Sequence, residues 1–344
     1  MKKLVIIGGG FAGTHIAKSL EQNFKTTLID TNDYFEFTPG ILRTIVEPNH
    51  LKKIQSLHKN YLKKTKIIVG CAIEVGNDYI LIDKKSKIGF DYLVICSGSH
   101  YNKPIKEQNI VYADRSKSLE ASSKMLFNSK NVLIIGGGLV GVELAAEIIT
   151  RFPDKKVKLI HSGERLIPRN NLKSSNYAMK FLNKKGVEIL FNERVNIIGN
   201  KKHILKDGRM IKADIIYLAT GIMPNFNFMQ KNFSNFLSKN NFIKVNNYLQ
   251  VIGQKNIFAS GDVTNVNEEK TAQNARNQAE IVVKNLRALE FGGKTEEYKC
   301  KSTGLVISLG KYNGIFEKGN FIFGGKIPAL MKWGIERWIM RKYS

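Results

Sequence analysis

The chain has 344 residues, 43% hydrophobic and 10% aromatic, with only seven prolines; it is a folded chain of two or three domains, not a disordered or collagen-like one. Three cysteines at 71, 96 and 300 exclude a disulfide scaffold and suit a reducing, intracellular setting, and no apolar run approaches the ~18 residues a spanning helix needs. A formal net charge of +25 favours polyanions such as nucleic acid, anionic lipid or acidic partners, but the lysines are dispersed, which reads as compositional background plus attraction to a membrane surface.

The first apolar run is interrupted by Gly8, Gly9 and Gly10, too early for a signal peptide, so a mature N-terminus is expected. KLVIIGGGFAG (3–13) reads as strand, glycine turn and helix, and TTLID (26–30) as the next strand, ending in Asp30. In this GxGxxG fingerprint Gly8 permits the tight turn, Gly10 lets a pyrophosphate approach the backbone, and Gly13 lets helix pack on strand. The helix N-terminus offers amide donors to the phosphates, and Asp30 an acceptor to a ribose.

Residues 65–99 read as strands ending in the turn CSGS, which contains Gly98. NVLIIGGGLVG (131–141) then repeats the opening motif with Gly136, Gly138 and Gly141, followed by the strand VKLIH (157–161). Here His161 stands where a carboxylate is usual for NAD; histidine does not repel a 2′-phosphate, and Arg165 lies four residues on, so NADH and NADPH both stay open, as does His161 as a plain turn residue. Further strands, 186–195 and 203–221, end in the turn ATGI with Gly221, and IFASGD (257–262) ends in Asp262. A helix over 268–290, a strand-like and glycine-rich stretch over 298–325 and an amphipathic helix over 327–342 complete the chain.

Two dinucleotide units in one chain suggest a flavin held permanently and a nicotinamide that visits. In the order of these turns the sequence resembles the flavoproteins with two dinucleotide-binding domains, the pyridine nucleotide-disulfide oxidoreductase-like family, over nearly its whole length. The resemblance implies an α/β fold with two Rossmann-like domains, for FAD and for NAD(P)H, plus a small β-rich C-terminal segment. It implies a discontinuous FAD domain (1–115 and 226–296), an NAD(P)H domain (116–225) and a C-terminal segment (297–344). FAD contacts would come from Gly8, Gly10, Phe11, Ala12, Gly13 and Asp30 in the first unit, and from Gly98, Asp262, Thr271 and Ala272 beyond it. NAD(P)H contacts would come from Gly136, Gly138, Gly141 and Glu143, with His161, Arg165 and Gly221. No metal is implied.

Disulfide-reducing members carry a cysteine pair beside the flavin, and TPGILRTIVEP (38–48) has none, so thiol–disulfide chemistry is not expected. Cys71, read as a strand residue, and Cys96 are expected to be buried and inert. DYFEFTPGILRTIVEP (33–48) and KTAQNARNQAE (270–280) resemble type II NADH dehydrogenases and ferroptosis-suppressor-like proteins. Histidine after the strand, in HSGERLIP (161–168), resembles the ferroptosis-suppressor branch. That resemblance implies catalytic roles for Lys270, for Gln273 beside a quinone, and for Glu147 near the nicotinamide. A polar helix face at 270–280 and a helix-surface carboxylate at 147 are the alternatives. Asn277 departs from the family's second glutamine.

In the tail IPALMKWGIERWIMRKYS, Leu330, Met331, Gly334, Ile335, Trp338 and Ile339 share one face, and Lys332, Glu336, Arg337, Arg341 and Lys342 the other. Such a helix lies in a membrane interface, unless it packs on its own core or on a second copy in a homodimer. The reading is therefore a peripheral, single-subunit FAD enzyme on the cytoplasmic face of a membrane, oxidising NADH or NADPH and reducing a quinone without pumping protons. Alternatives are a soluble reductase of a small redox protein, a sulfide:quinone oxidoreductase-like enzyme, and an apoptosis-inducing-factor-like flavoprotein that binds nucleic acid. The last is disfavoured because no aromatic residues interleave a basic stripe.

Overall fold

The structure is a computed structural model and describes residues 1–83, 86–101, 104–106, 112–198, 202–205, 208–301 and 303–343. Residues 84–85, 206–207, 302 and 344, which fall in stretches read above as strand or tail, lie outside the described residues.

Two parallel sheets carry the repeat. Strand β1 (Lys3–Ile7) leads into helix α1 (Phe11–Leu20) and strand β2 (Lys25–Asp30); helix α2 (Ile41–Val46) and strands β3 (Lys66–Val69) and β4 (Tyr92–Ile95) follow. The second unit repeats this as β5 (Asn131–Ile135), α3 (Leu139–Arg151), β6 (Lys156–Ile160), β7 (Glu188–Leu190) and β8 (Ile215–Leu218). Strand β9 (Ile257–Ala259), helix α4 (Ala272–Phe291) and helix α5 (Lys326–Met340) come later.

The first sheet has the order β9-β4-β1-β2-β3, and the second β7-β6-β5-β8. All their pairings are parallel, with Ile7 opposite both Ile29 and Ile95, and Ile135 opposite both Ile160 and Leu218. The central strands are apolar almost throughout because helices cover both faces of a parallel sheet; in β4 every residue is buried. In α1 the buried residues Ala12, Gly13, Ile16, Ala17 and Leu20 form one stripe at helical spacing.

Helix Tyr112–Asn128 escapes a periodicity reading because a buried charge helps to hold it. Arg115 is fully buried and meets Glu36 at 3.2 Å. Cys71 lies in the turn between β3 and the strand Ala72–Val75, half-buried rather than buried in a strand.

A three-stranded antiparallel sheet (Leu305–Ser308, Gly314–Lys318 and Phe321–Gly325) runs directly into α5. This helix is inverted relative to an ordinary surface helix. Its buried side chains are Pro328 and Glu336, and the Lys332 side chain, 16% exposed, also points inward. Outward stand Ile327, Leu330, Trp333 and Trp338, at 63%, 65%, 52% and 56% exposure. Lys332 and Glu336 thus leave the solvent-facing polar side on which the helical wheel puts them, because each has a partner on the body of the protein. Glu336 meets His50 at 3.1 Å, and Lys332 meets Glu143 at 2.7 Å.

Beyond α5, Tyr343 is buried against the first unit. Its ring lies 4.1 Å from that of Phe35 and 5.0 Å from that of Tyr61, centroid to centroid, while its carbonyl accepts from Ser56 Oγ. Tyr343→Ala is expected to destabilise the protein by about 3 kcal/mol, the usual cost of truncating a buried aromatic residue; urea denaturation against the parent measures it, and an unchanged midpoint contradicts this packing.

Candidate functional site

The two fingerprints have the same geometry. Gly8 (φ +98°) and Gly136 (φ +116°) occupy backbone conformations that favour glycine. A Cβ on Gly8 would lie 2.2 Å from the Cys96 carbonyl oxygen, and one on Gly136 would lie 2.2 Å from that of Ala219. Gly13 and Gly141 sit against the preceding turn, where a Cβ would meet the carbonyl oxygen of Gly8 or Gly136 at 1.8 Å. Gly10 and Gly138 cap α1 and α3 and face open space, with nothing within 4 Å of a Cβ placed there. The two cradles therefore leave room for a pyrophosphate at a helix N-terminus, so the residues present fit a dinucleotide at each.

Both open on one cleft of about 2290 Å³, lined among others by Gly8, Gly10, Phe11, Ala12 and Asp30 from the first unit and by Gly136, Gly138, Glu143 and His161 from the second. Gly98, Gly221, Asp262, Lys270, Thr271 and Ala272 complete its wall. Three helix N-termini point into this space, since Thr271 caps α4 by accepting from Asn274 N–H. Their summed dipoles make it favourable to anions.

The strand-end residues differ between the units. Asp30 Oδ2 accepts from Gly9 N–H at 2.7 Å, and His161 Nδ1 accepts from Gly137 N–H at 3.2 Å. An imidazole has thus replaced a carboxylate at the same backbone amide. His161 Nε2 is buried without a well-formed hydrogen bond among the described residues, and burial, outweighing a contact with the Arg165 backbone, pulls the ring's pKa down, so the neutral form that can accept from Gly137 is favoured. Arg165 spends its guanidinium on the carbonyls of Pro168 and Asn170 and is not among the cleft's lining residues.

On the opposite wall Asp262 accepts from Ser99 Oγ at 2.7 Å. Gln278, one of the matching positions of the 270–280 motif, is almost fully buried; it accepts from Gly261 N–H at 2.7 Å and so fixes the Asp262 turn, a role the motif does not specify. Lys270 Nζ donates to the carbonyls of Thr264 and Val266, both at 2.8 Å, and burial lowers its pKa. Gln273 is exposed and stands outside the lining residues, whereas Ala272 and Ala275 on the same helix lie within them. Cys71 and Cys96 also line the cleft, and burial raises both thiols above their ordinary range.

At the inner end, Glu143 Oε1 accepts from Ser308 N–H at 2.6 Å and from Lys332 Nζ at 2.7 Å. Lys332, a tail residue, is thus part of the cleft wall, and sequence reasoning missed it because the helical wheel assigns it to solvent. Glu147 is buried rather than on a helix surface. It accepts from Arg43 Nη2 at 2.9 Å and from Ser308 Oγ at 3.2 Å, and it lines a small adjoining cavity with His50, Trp333 and Glu336.

Residues 2–279 match the family described as pyridine nucleotide-disulphide oxidoreductase. Among curated relatives, apoptosis-inducing factor homolog B of Dictyostelium discoideum is 33% identical, the alignment covering 91% of this chain and 89% of that protein. Ferroptosis suppressor protein 1 of Homo sapiens is 29% identical over 96% of this chain and 92% of its own length. The sulfide:quinone oxidoreductase of Aquifex aeolicus shares the fold at a TM-score of 0.84 and 19% identity, covering all of this chain (100%) and 91% of that one.

The Arg43–Glu147 pair joins α2 to α3 with side-chain exposures of 18% and 6%. Removing one partner leaves the other buried and uncompensated, so Glu147→Leu should cost about 3 kcal/mol. Adding Arg43→Met should recover much of that loss, as urea denaturation of both variants would show. A Glu147→Leu protein of parental stability but without activity would instead give the carboxylate a chemical role.

Proposed function

The chain belongs to the pyridine nucleotide-disulphide oxidoreductase family, and from that premise we propose that it is a single-subunit FAD enzyme that takes electrons from NADH or NADPH and passes them to a quinone at a membrane surface. One observation carries this reading: two dinucleotide fingerprints open on a single cleft. FAD, when bound, supplies the two-electron redox chemistry. The protein supplies the rest. In this reading 1–115 with 226–296 holds FAD through the first glycine turn, Asp30 and Asp262, and 116–225 holds NAD(P)H through the second turn and His161. Glu143 and Lys332, ion-paired at the inner end, would fix the floor against which the nicotinamide lies. The N-terminus of α4 would stabilise negative charge developing nearby.

The membrane part of the proposal rests on α5. Among the described residues no helix is long and apolar enough to cross a membrane, so contact through α5 would be peripheral. Ile327, Leu330, Trp333 and Trp338 stand on the outward side of α5, and Phe321, 66% exposed, opens the strand that leads into it. Cations stand beside both tryptophans: Arg337 lies 5.4 Å from the Trp333 ring centroid, and Lys342 lies 3.4 Å from that of Trp338. Aromatic side chains flanked by basic groups suit an anionic lipid interface, which a soluble reductase would not need. Free cysteines and a soluble nicotinamide substrate fit the cytoplasmic face.

Deleting 327–344 would remove Tyr343 and Lys332 from the body of the protein along with the apolar face; point changes are the cleaner test. In Leu330→Gln/Trp333→Gln/Trp338→Gln, binding to anionic vesicles and turnover with long-chain quinone should fall at least ~10-fold, while turnover with a water-soluble quinone is retained. Equal turnover with and without any quinone would contradict the assigned acceptor, and unchanged vesicle binding would contradict the assigned surface.

A further inference from the structure

Asp30 does not stand alone. His58, on the short helix His58–Tyr61, is fully buried, and its Nε2 lies 3.2 Å from Asp30 Oδ2. The other ring nitrogen, Nδ1, pairs with the Tyr61 hydroxyl. Tyr61 is itself buried, with Tyr343 packed edge-on against its ring at 5.0 Å. Burial raises the pKa of Tyr61, with Tyr343 and Asp30 adding to the effect, so its hydroxyl keeps its proton and can donate to Nδ1. A carboxylate oxygen only accepts, so the Nε2 contact to Asp30 calls for the ring hydrogen on Nε2. The contact is tight: a Cβ on Gly9 would lie 2.2 Å from Asp30 Oδ2 and 2.5 Å from His58 Nε2.

Oδ2 therefore holds two donors, Gly9 N–H at 2.7 Å and His58 Nε2–H at 3.2 Å, whereas Oδ1 meets one, Asn32 N–H at 3.2 Å. In the second unit the corresponding residue, His161, has a buried nitrogen without a well-formed hydrogen bond among the described residues. The support at the first site is thus a feature of that unit, not of the fold.

We propose that His58, its ring oriented by Tyr61, is a positioning residue for Asp30: it fixes one carboxylate oxygen so that the other is presented to the adenosine ribose of FAD. This rests on the reading of the first unit as the FAD site. The sequence gives no fingerprint for it, because His58 lies 28 residues beyond Asp30 and meets it only through folding.

The test measures FAD affinity of the full-length protein, stripped of flavin and titrated by fluorescence, for D30A, H58L, H58Q and the D30A/H58L pair. A hydrogen bond to a charged group is worth enough for H58L to weaken FAD ~10- to 100-fold. H58Q, whose amide can donate from nearly the same place, should restore most of that affinity. D30A/H58L should bind no more weakly than D30A alone, since His58 acts through Asp30. Parental affinity in H58L alongside loss in D30A overturns the proposal, as do additive losses in the pair or failure of H58Q to rescue, which would mark His58 as a packing residue only. Parental affinity in D30A would overturn the FAD-site reading itself, and the proposal with it.

Discussion

A backbone carbonyl pressed against a glycine is the constraint on which the rest of this structure depends. At Gly8 and again at Gly136 the chain turns at positive φ under the carbonyl of a neighbouring strand, too close for any side chain. Because the turn is so tight, the following helix starts directly above the sheet with its first amides facing outward from the strand ends. Gly13 and Gly141 let that helix settle on the turn. Two copies of the arrangement, set to open on the same cleft, concentrate positive potential where two pyrophosphates would sit.

A second organising feature is the exchange of roles on α5. Its charged residues Lys332 and Glu336 reach inward to Glu143 and His50, while its tryptophans and aliphatic residues face out. Burying charge is costly unless it is paired, and here the pairs anchor the helix to both dinucleotide units at once. Leaving several large apolar side chains on one exposed face is equally unusual for a protein surface. The same helix thus contributes a residue to the cleft wall and an apolar face to the exterior, the two features on which the proposed use of a lipid-soluble quinone rests.

Much of the fold was legible in the sequence because its strongest signals are local. Strand, glycine turn, helix and strand follow one another within some 30 residues, and the repetition at 131–141 removes the ambiguity of a single match. What was not legible depends on long-range partners. Arg115 in Tyr112–Asn128, Lys332 in α5 and Gln278 in α4 are polar residues drawn inward by Glu36, Glu143 and Gly261, and no periodicity argument can supply those partners. Gln273 and Arg165 illustrate the converse. Motif spacing marks them, but helix phase turns Gln273 outward, and two nearby carbonyls engage Arg165.

The central claim is that one cleft brings a bound flavin and a visiting nicotinamide together. Anaerobic stopped-flow absorbance of the purified, flavin-loaded protein tests it most directly. Mixing with NADH or NADPH should bleach the oxidised flavin band in a saturable phase, and quinone added afterwards should restore it. A flavin that remains oxidised with both nicotinamides would contradict the shared cleft as a path for electrons.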